Sequence, residues 1–485
     1  MNFSTMASGK DNHWQSLFSP RSVALIGASD VPGTWGFGIM RHLLDSTDRK
    51  IYAVNPTIPE VLGLATYNSV VNVPGPLDLA VIAVPAAQVP QVLGECVQKG
   101  VKSAVIISAG FGETGEQGSR LENELAEVAR RGGIRFIGPN CMGHADTRSK
   151  LCTLAWAEGV GAGPVGFISQ SGNYGGQVIR NGEAAGIGFS KFVSTGNEAD
   201  LHLEDYLEYL AQDPDSRVIA AYIEGLREGR RFFQIAKSTT VKKPIVVVKA
   251  GGTRESARAA MSHTGALAGS DAVYEAAFKQ AGVIRVQDDD ELCELLMALL
   301  NQPLPRNNRV AILTIGGGLG VIAAEACEQN GLRVAQFSPP TMEKLNTYLP
   351  PRWSHGNPVD TAGMIAAKRP FLYASLLALL DDENVDALFL LLPMVFSPER
   401  LTTFLSLNLE ATRSFQEVQK ENLIMLRDHA KERGKPVFIV PSVRDEEASA
   451  FLLSVGLPSY RNPQRAARAL RYLSWYSQYL DSVRQ

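Results

Sequence analysis

The sequence predicts an α/β protein made of three domains, each built on a parallel sheet with helices on both faces. The chain has 485 residues, which corresponds to about three domains at ~150 residues each. Short β-branched segments are followed by turns of small residues and then by helical patterns. Strand-like and helix-like segments alternate along the whole chain, which is typical of parallel sheets covered by helices.

Each predicted domain opens with an apolar strand, a turn of small residues and a helix. The three strand and turn pairs are Val23–Ile26 with Gly27-Ala28-Ser29, Val165–Ile168 with Ser169-Gln170-Ser171-Gly172, and Val310–Leu313 with Gly316-Gly317-Gly318-Leu319-Gly320. Such a turn places backbone N–H groups and a helix N-terminus where an anion can bind. Ordinary turn chemistry explains each of them equally well, so both interpretations stay open for any one turn.

Further apolar segments follow each opening and predict the remaining strands. They are Lys50–Val54, Leu79–Val84, Ser103–Ile107, Ile134–Ile137, Val218–Ile223, Pro244–Lys249, Asp386–Leu391 and Pro436–Val440. We expect domain boundaries near residues 150 and 302, which gives domains 1–150, 151–302 and 303–485. The longest apolar run, Ala387–Phe396, predicts a buried strand, because a membrane span needs about 20 residues.

Composition excludes several classes of function. The chain carries 47 Lys and Arg against 50 Asp and Glu, for a net charge of -3, so no nucleic-acid surface is expected. Its five cysteines are scattered without CxxC spacing, which argues against a disulfide framework and against a zinc site. We therefore expect no metal ligands in this chain, no membrane segment and a reducing, cytoplasmic location.

The first glycine turn invites comparison with nicotinamide-binding sites, and two features disfavour that function. Ser29 stands where the second glycine is expected, and Gly33 comes late. In nicotinamide-binding domains an acidic residue near the end of the second strand binds the ribose diol. Here Asn55 stands at that place and carries no charge. An oxidoreductase is therefore disfavoured, while a different adenine nucleotide on the longer loop of residues 29–36 stays possible.

One histidine of the seven in the chain lies among small and flexible residues. His263 is flanked by Ser262, Thr264 and Gly265 within residues 261–269. A histidine that accepts a phosphoryl group and then moves needs glycines for reach and hydroxyl or N–H donors for the anion. A solvated loop histidine is the alternative interpretation of the same residues.

Eight motifs in a fixed order identify a family. They are Gly27-Ala28-Ser29 with Pro32-Gly33, Val54-Asn55-Pro56, Gly138-Pro139-Asn140-Cys141, Ser169-Gln170-Ser171-Gly172, Ser194-Thr195-Gly196-Asn197, Tyr222-Ile223-Glu224-Gly225, Ser262-His263-Thr264-Gly265 and Gly356-Asn357-Pro358-Val359-Asp360. With this set, the chain resembles the α subunits of NDP-forming acyl-CoA synthetases, relatives of succinyl-CoA synthetase. The resemblance covers about residues 15–475.

The resemblance implies an N-terminal CoA-binding Rossmann domain followed by two flavodoxin-like ligase domains. It implies a reversible reaction of acyl-CoA, phosphate and ADP to carboxylic acid, CoA and ATP, with Mg²⁺, through acyl phosphate and phosphohistidine. No region resembles the ATP-grasp module that binds the nucleotide, so a separate ATP-grasp β subunit is expected as partner. The acid that serves as substrate is left open by the sequence.

The resemblance also implies roles for individual residues. His263 matches the phosphohistidine and Glu224 the acid that orients its ring, as the acid of a catalytic triad does. The residues that match phosphate-binding positions are Ser169, Ser171, Gly172, Thr195, Gly196 and Asn197. The residues that match CoA-contacting loops are Gly27, Ala28, Ser29, Gly33, Asn55, Pro56 and Asn140.

Two points weigh on that assignment. Thr57 stands where many relatives carry a lysine, so a cationic contact to CoA is lost or supplied elsewhere. A non-catalytic regulatory protein that binds CoA or acyl-CoA is the alternative function. His263 discriminates between the two, because a sensor has no need of a nucleophile.

Overall fold

The three predicted sheets are present, and they lie in two compact units. The computed structural model describes residues 12–45, 48–156, 159–253, 255–256, 270–361, 369–405 and 409–484. Residues 1–292 form one unit and residues 293–485 the other. The first unit contains two seven-stranded sheets and the second a smaller one. The α/β class is confirmed, while the boundaries near residues 150 and 302 stay a prediction.

The first sheet has the strand order β3-β4-β2-β1-β5-β6-β7 and is parallel except for the β3–β4 pair at its edge. Its strands are β1 Ser22–Ile26, β2 Lys50–Val54, β3 Glu60–Val61, β4 Leu64–Tyr67, β5 Leu79–Ile82, β6 Ser103–Ile106 and β7 Arg135–Ile137. The helices in this part of the chain are α1 Asn12–Phe18, α2 Trp35–Leu44, α3 Val89–Lys99 and α4 Glu116–Gly132. Strands β1, β5 and β6 are fully buried, as a sheet covered on both faces requires.

The second sheet has the order β14-β13-β12-β10-β11-β8-β9. Its strands are β8 His144–Asp146, β9 Leu151–Cys152, β10 Ala162–Ser169, β11 Phe189–Ser194, β12 Val218–Ile223, β13 Ile245–Lys249 and β14 Ile284–Val286. The helices are α5 Gly172–Ala184, α6 Leu203–Gln212, α7 Gly229–Thr240, α8 Asp271–Ala281 and α9 Asp289–Asn301. Strands β8 and β9 run antiparallel, so this sheet is mixed at one edge.

The third sheet has the order β16-β15-β18-β19, and β17 also pairs with β15. Its strands are β15 Arg309–Thr314, β16 Arg333–Val334, β17 Val359–Asp360, β18 Ala387–Leu391 and β19 Val437–Ile439. The helices are α10 Gly317–Gln329, α11 Pro339–Tyr348, α12 Arg369–Asp381, α13 Pro398–Leu405, α14 Leu409–Arg433, α15 Glu446–Ser454 and α16 Pro463–Arg484. All its pairs are parallel.

Two local expectations need correction. The predicted strand Ala387–Phe396 ends at Leu391, because Pro393 cannot donate a ladder hydrogen bond. Strand β11 carries Lys191 at its centre, which hid it from the sequence pattern. The structure buries that ammonium group and places its Nζ 3.0 Å from an Asp213 oxygen and 3.5 Å from an Asp146 oxygen.

Other findings bear on the expected class of protein. All five cysteines are free thiols. Among the described ranges, no helix is both long and apolar enough to cross a bilayer.

The sheet topology determines where a ligand site forms. Strand β1 lies between β2 and β5, and strand β10 lies between β12 and β11. At such a switch point the loops leave the carboxyl ends in opposite directions and open a crevice between them. The loop after β1 leads to α2, and the loop after β10 leads to α5. Both predicted anion-binding turns therefore lie at switch points.

Substitution of Gly36 by Ala should destabilise the first unit by about 1–3 kcal/mol, because overpacking distorts its surroundings. An added Cβ would lie 2.1 Å from the carbonyl oxygen of Gly27, and backbone cannot yield as a side chain can. Gly94 in α3 is the matched control, since a Cβ there meets no atom within 4 Å. Gly94→Ala should be neutral or gain up to about 1 kcal/mol from helix propensity. Urea unfolding of both variants measures this, and equal midpoints would contradict the packing argument.

Candidate active site

A cavity of about 390 Å³ lies where the carboxyl ends of the first two sheets meet within the first unit. The first sheet contributes the loops after β5 and β6, and the second contributes the loop after β10 and the start of α5. The lining residues are Trp35 and residues 83–86, 107–109, 140–142, 170–173 and 196–197. Its size is in the range of small-molecule sites.

The start of α5 supplies donors to this cavity. Ser171 is the N-cap residue, and its hydroxyl oxygen accepts a hydrogen bond from the Tyr174 N–H. The first intrahelical bond runs from the Gly175 N–H to the Ser171 carbonyl, so the earlier amides of the turn precede the helical ladder. Ser169 is buried and donates its hydroxyl proton to the Ser171 carbonyl at 2.5 Å. Ser171 and Gly172 therefore face the cavity, and Ser169 supports them.

Two glycines permit three loops to pack closely around the cavity. A Cβ on Gly172 would lie 1.9 Å from Cγ of Met142. Gly196 has φ +62°, and a Cβ there would lie 2.2 Å from the Pro139 carbonyl oxygen. Only glycine combines this left-handed conformation with so close an approach. The serine turn therefore packs against the Met142 side chain at Gly172, and the Ser194–Asn197 turn packs against the backbone of the Gly138–Met142 turn at Gly196.

Asn197 links the cavity to two carboxylates. Its Nδ2 donates to Oε2 of Glu113 at 2.6 Å and to Oε2 of Glu122 at 2.7 Å. Its Oδ1 accepts from Nδ2 of Asn140 at 3.1 Å. Burial raises the pKa of Glu113, but hydrogen bonds from Asn197 and from the backbone outweigh burial and lower it overall. Asn197 therefore lines the cavity, and its side chain also holds Glu113, Glu122 and Asn140 by hydrogen bonds.

The side chain of Gln170 forms four hydrogen bonds, three of which tie the phosphate-type turn to the end of β12. Its Oε1 accepts from the N–H groups of Glu224 at 2.6 Å and Gly225 at 3.0 Å. Its Nε2 donates to the Gly225 carbonyl at 2.8 Å and to Oε1 of Glu198 at 3.0 Å. An amide has two acceptor and two donor capacities, so this side chain is fully used.

Glu224 directly follows β12 and is half-buried. Burial, together with the neighbouring carboxylate of Glu224, raises the pKa of Tyr222 to about 12, and the Tyr222 side chain is hydrogen-bonded to Glu224. Lys249, the last residue of β13, donates from Nζ to the Glu224 carbonyl at 2.9 Å. That ammonium lies 4.5 Å from the ring centroid of Tyr274, and burial lowers its pKa. The chain continues from here toward His263, which lies outside the described residues.

The residues expected at CoA-contacting loops lie at the carboxyl ends of β1 and β2. Gly27 has φ +91°, and a Cβ there would lie 2.3 Å from the Ala83 carbonyl oxygen. The Asn55 side chain is occupied by its own loops: Nδ2 donates to the Ala28 carbonyl at 2.8 Å, and Oδ1 accepts from the Thr57 N–H at 2.9 Å. Ser29 Oγ accepts from the Val31 N–H at 3.1 Å.

The structure brings some of the expected residues together and not others. Those that line the cavity are Asn140, Ser171, Gly172, Gly196 and Asn197. Gly33, with φ +87°, lines a neighbouring cavity. Those that line neither cavity are Gly27, Ala28, Ser29, Asn55, Pro56, Ser169, Thr195 and Glu224. Thr195 is buried and donates to Oε1 of Glu198 at 2.8 Å.

Sequence reasoning passed over several lining residues. Residues 83–86 and 107–109 lie at and just after the ends of two predicted strands, so strand ends were a usable signal. Gln170 stands between two serines that were singled out, but a glutamine carries no distinctive chemistry in a sequence. Met142 and Trp35 line the cavity through apolar surface, which gives no local signal.

Two residues near the motifs have structural roles. His144 is fully buried, with Nε2 2.7 Å from the Leu17 carbonyl oxygen and Nδ1 3.0 Å from Oγ1 of Thr153. Burial lowers the pKa of His144 to about 4, so the ring is neutral at pH 7. Burial also raises the pKa of Cys141 to about 12, and its thiol donates to the Ile106 carbonyl at 3.3 Å.

Three domain families match the chain in order. The CoA binding domain matches residues 21–146, the succinyl-CoA ligase like flavodoxin domain residues 162–299 and the ligase-CoA domain residues 310–463. These matches confirm the predicted succession of a CoA-binding and two ligase-type domains.

Curated proteins resemble the chain over nearly its full length. The α subunit of ADP-forming acetate–CoA ligase II of Pyrococcus furiosus is 42% identical over 93% of this chain and 95% of its own length. The ADP-forming acetate–CoA ligase I of Archaeoglobus fulgidus is 41% identical over 96% of this chain but only 64% of its own length. The chain thus spans whole α subunits and about two thirds of a longer relative.

Solved structures share the fold. One is the dinucleotide forming acetyl-coenzyme A synthetase 1 of Ca. Korarchaeum cryptofilum, solved in complex with phosphate and ADP. It matches with a TM-score of 0.84 and 35% identity, and the match covers 98% of this chain and 98% of that one. A crystal structure from Pyrococcus horikoshii OT3 has a TM-score of 0.79 at 37% identity over 96% of this chain and 99% of that one. The chain belongs to the α-subunit family of ADP-forming acyl-CoA synthetases, which are acid–thiol ligases.

Proposed function

We propose that this chain is the α subunit of an ADP-forming acyl-CoA synthetase that interconverts acyl-CoA, phosphate and ADP with a carboxylic acid, CoA and ATP. The observation that carries the proposal is the cavity where the loops after β5 and β6 meet the first turn of α5. Its donors suit an anion, and the first-sheet loops leave room for a thioester arm. Family membership supports the same reaction.

The reaction divides into three balanced steps. An oxygen of inorganic phosphate attacks the thioester carbon, the C–S bond breaks, and CoA leaves as its thiolate while acyl phosphate forms. A nitrogen of His263 then attacks phosphorus, the P–O bond to the acyl group breaks, and the carboxylate leaves. In the third step a terminal oxygen of ADP takes the phosphoryl group, which yields ATP and restores the imidazole. Neutral imidazole suits both directions, since it is nucleophilic near pH 7 and leaves readily from phosphorus.

We assign the chain's residues to these steps as follows. Ser171, Gly172 and the amides of the first turn of α5 bind the phosphate, and a helix N-terminus alone contributes only ~0.3–1 kcal/mol at an exposed site. Gly196, Asn197 and Asn140 shape the opposite wall, and Ser169 and Thr195 support it from behind. Glu224 accepts the second ring N–H of His263, fixes the tautomer and stabilises the cationic phosphohistidine, as a triad acid does.

We assign the binding of CoA to loops at the carboxyl ends of strands in the first sheet. Gly27, Ala28 and Ser29 form the turn at the switch point, and Asn55 with Pro56 closes the neighbouring loop. The Asn55 side chain holds Ala28 in place, so its contribution to CoA binding is the shape of the loop. Gly33 continues that loop toward α2.

Nucleotide and Mg²⁺ are assigned to a second polypeptide. Among the described residues, no group of three or more His, Cys, Asp or Glu side chains is arranged to hold a metal ion. No step is therefore assigned to Mg²⁺ on this chain. The α-subunit relatives support a partner subunit, and we propose that it is an ATP-grasp β subunit.

Incubation of the chain with an acyl-CoA and radioactive inorganic phosphate should label the peptide that contains His263. The label should be acid-labile and absent from His263→Asn. Glu224→Gln should label about 100-fold or more slowly, because the ring loses its orienting acceptor. His429→Asn is the matched control, since that half-buried histidine pairs with Asp381 in the second unit. No label with any acyl-CoA would favour the regulatory CoA-binding protein instead, and equal label in His263→Asn would overturn the assignment of His263 as the phosphorylated residue.

The purified chain should be labelled by phosphate but should not make ATP from ADP at a useful rate. Addition of an ATP-grasp β subunit from a family member should restore turnover. ATP synthesis is measured by a coupled luciferase assay. Full-rate synthesis by the chain alone would show that the second polypeptide is not needed.

Glu198→Gln should change how stability depends on pH. Burial raises the pKa of Glu198 from its usual 4.5 to about 7. A carboxyl group with a raised pKa binds protons more tightly in the folded state, so it costs stability as pH rises from about 4.5 and most above 7, by about 3 kcal/mol. The variant removes this cost and should melt several degrees above the wild type at pH 8 but not at pH 5.

The control for this measurement is Glu113→Gln. The pKa of Glu113 is lowered, so its carboxylate is ionised in both states from pH 5 to 8. Its melting-temperature difference from the wild type should therefore stay constant over that range. A constant difference for Glu198→Gln as well would mean that the Glu198 carboxyl group ionises normally.

A further inference from the structure

A third cavity, of about 570 Å³, lies at the amino ends of strands in the first sheet. Lys50 begins β2, while Arg21 and Lys102 directly precede β1 and β6. These strands stand in the order β2-β1-β5-β6, and the register pairs Ser22 with Lys50. The residues at the strand starts therefore form a row along one edge of the sheet, about 5 Å apart from one strand to the next.

This edge of the sheet is opposite to the candidate active site. The candidate site lies at the carboxyl ends of the strands, and the five residues of β1 span about 17 Å at ~3.3 Å per residue. Among the described residues, none that lines this third cavity also lines the first cavity or its neighbour. A ligand bound here would therefore leave the residues proposed for catalysis untouched.

The third cavity is basic, although the chain as a whole carries a net charge of -3. Its charged lining residues are Arg21, Lys50, Lys102 and Asp78, which makes three cations against one carboxylate. We call it the basic cavity. Because the surplus of positive charge is local, it favours an anionic ligand at this place rather than a general attraction to polyanions.

The one carboxylate of the basic cavity is engaged within its wall. Asp78 accepts from Nζ of Lys102 at 3.0 Å through Oδ1 and from the Arg21 N–H at 2.9 Å through Oδ2. Burial raises the pKa of Asp78, but the hydrogen bonds from Lys102 and from the backbone outweigh burial and lower it overall. Ser22 Oγ accepts from the Asp78 N–H and donates to the Pro76 carbonyl, both at 3.0 Å. These bonds connect the segments before β1, β5 and β6, so the wall is held in place.

Two cations of the basic cavity are left for a ligand. Neither the guanidinium group of Arg21 nor the ammonium group of Lys50 forms a hydrogen bond or an ion pair with another described residue. They stand at the starts of neighbouring strands, so one ligand can contact both. A guanidinium group binds phosphate oxygens in pairs, and an ammonium group adds a compact point charge. Tyr52 lies two residues after Lys50 on the same face of β2 and adds a half-buried ring to the wall.

We propose that the basic cavity binds a small ligand with two linked phosphate groups, either inorganic diphosphate or a nucleoside diphosphate. Two linked phosphates meet Arg21 and Lys50 together, and Lys102 adds positive potential from a nearby strand. A ligand with a single negative charge would leave one of the two unpaired cations without a partner. If the ligand is a nucleotide, its base stacks on the ring of Tyr52. This inference does not rest on the proposed function, because none of these residues takes part in the proposed reaction.

Isothermal titration calorimetry of the full chain with inorganic diphosphate tests the site, in the presence of saturating CoA so that the proposed CoA site is filled. Arg21→Gln and Lys50→Gln should each raise the Kd by about tenfold, since each removes a charged hydrogen-bond donor. Arg21→Lys should lose less, because it keeps the charge. Lys279→Gln is the matched control and should bind as the wild type does, since Lys279 is exposed on α8 beside the second sheet.

The same titration with ADP distinguishes the two sources of the diphosphate group. Equal Kd values for ADP and diphosphate identify the diphosphate group as the whole ligand. Tighter binding of ADP that Tyr52→Leu abolishes identifies a nucleotide, and either result supports the site. Three results overturn it: no binding of either ligand at millimolar concentration, Kd values that Arg21→Gln and Lys50→Gln leave unchanged, or an equal loss in Lys279→Gln.

Discussion

The side-chain amide of Gln170 holds the candidate site together. The loop after β10 and the turn after β12 come from neighbouring strands, and each carries a residue proposed for phosphoryl chemistry. Two N–H groups and one carbonyl of the β12 turn bind to that single amide. The fourth hydrogen bond reaches Glu198. The β10–β12 ladder ends at Ser169 and Tyr222, and this side chain extends the connection to the backbone of Glu224, the proposed ring acceptor.

Close packing at two glycines also fixes the positions of the loops around the first cavity. Gly172 admits Met142 to the start of α5, and Gly196 admits the turn that carries Asn140. A larger residue at Gly196 would clash with the backbone of Pro139 and Asn140, and at Gly172 it would displace the Met142 side chain. The same packing positions Met142 between the first cavity and its neighbour. The shapes of the two cavities are therefore coupled through the contacts of Met142.

The sequence predicted the parts of the site that follow from local chemistry. Ser171 and Gly172 were singled out because a small-residue turn between a strand and a helix presents N–H groups to an anion, and the family resemblance decided between that use and ordinary turn chemistry. Asn55 was predicted to contact CoA. In the structure its side chain forms hydrogen bonds with the backbone of Ala28 and Thr57 in the surrounding loops. Motif spacing in the sequence does not reveal these contacts. Glu198 was not predictable, since its raised pKa results mainly from burial, which the local sequence does not reveal. The neighbouring cavity, which Gly33 also lines, is formed by residues of α2 together with Met142, Ala155 and Trp156. These residues lie about a hundred positions apart, so no local pattern predicts the cavity.

The hydrogen bonds around the first cavity explain how the proposed phosphate can bind near several acidic side chains. Glu113 and Glu122 lie close to the phosphate-type turn, but both direct a carboxylate oxygen to Nδ2 of Asn197. Asn197 in turn accepts from Asn140, whose amide has a second hydrogen beyond that bond. Two amides thus stand between the carboxylates and the cavity. Glu198 is the third acid, and burial keeps a large fraction of it neutral near pH 7. The proposed phosphate at the start of α5 therefore meets amide and hydroxyl donors first, and the raised pKa of Glu198 weakens the repulsion from that buried acid.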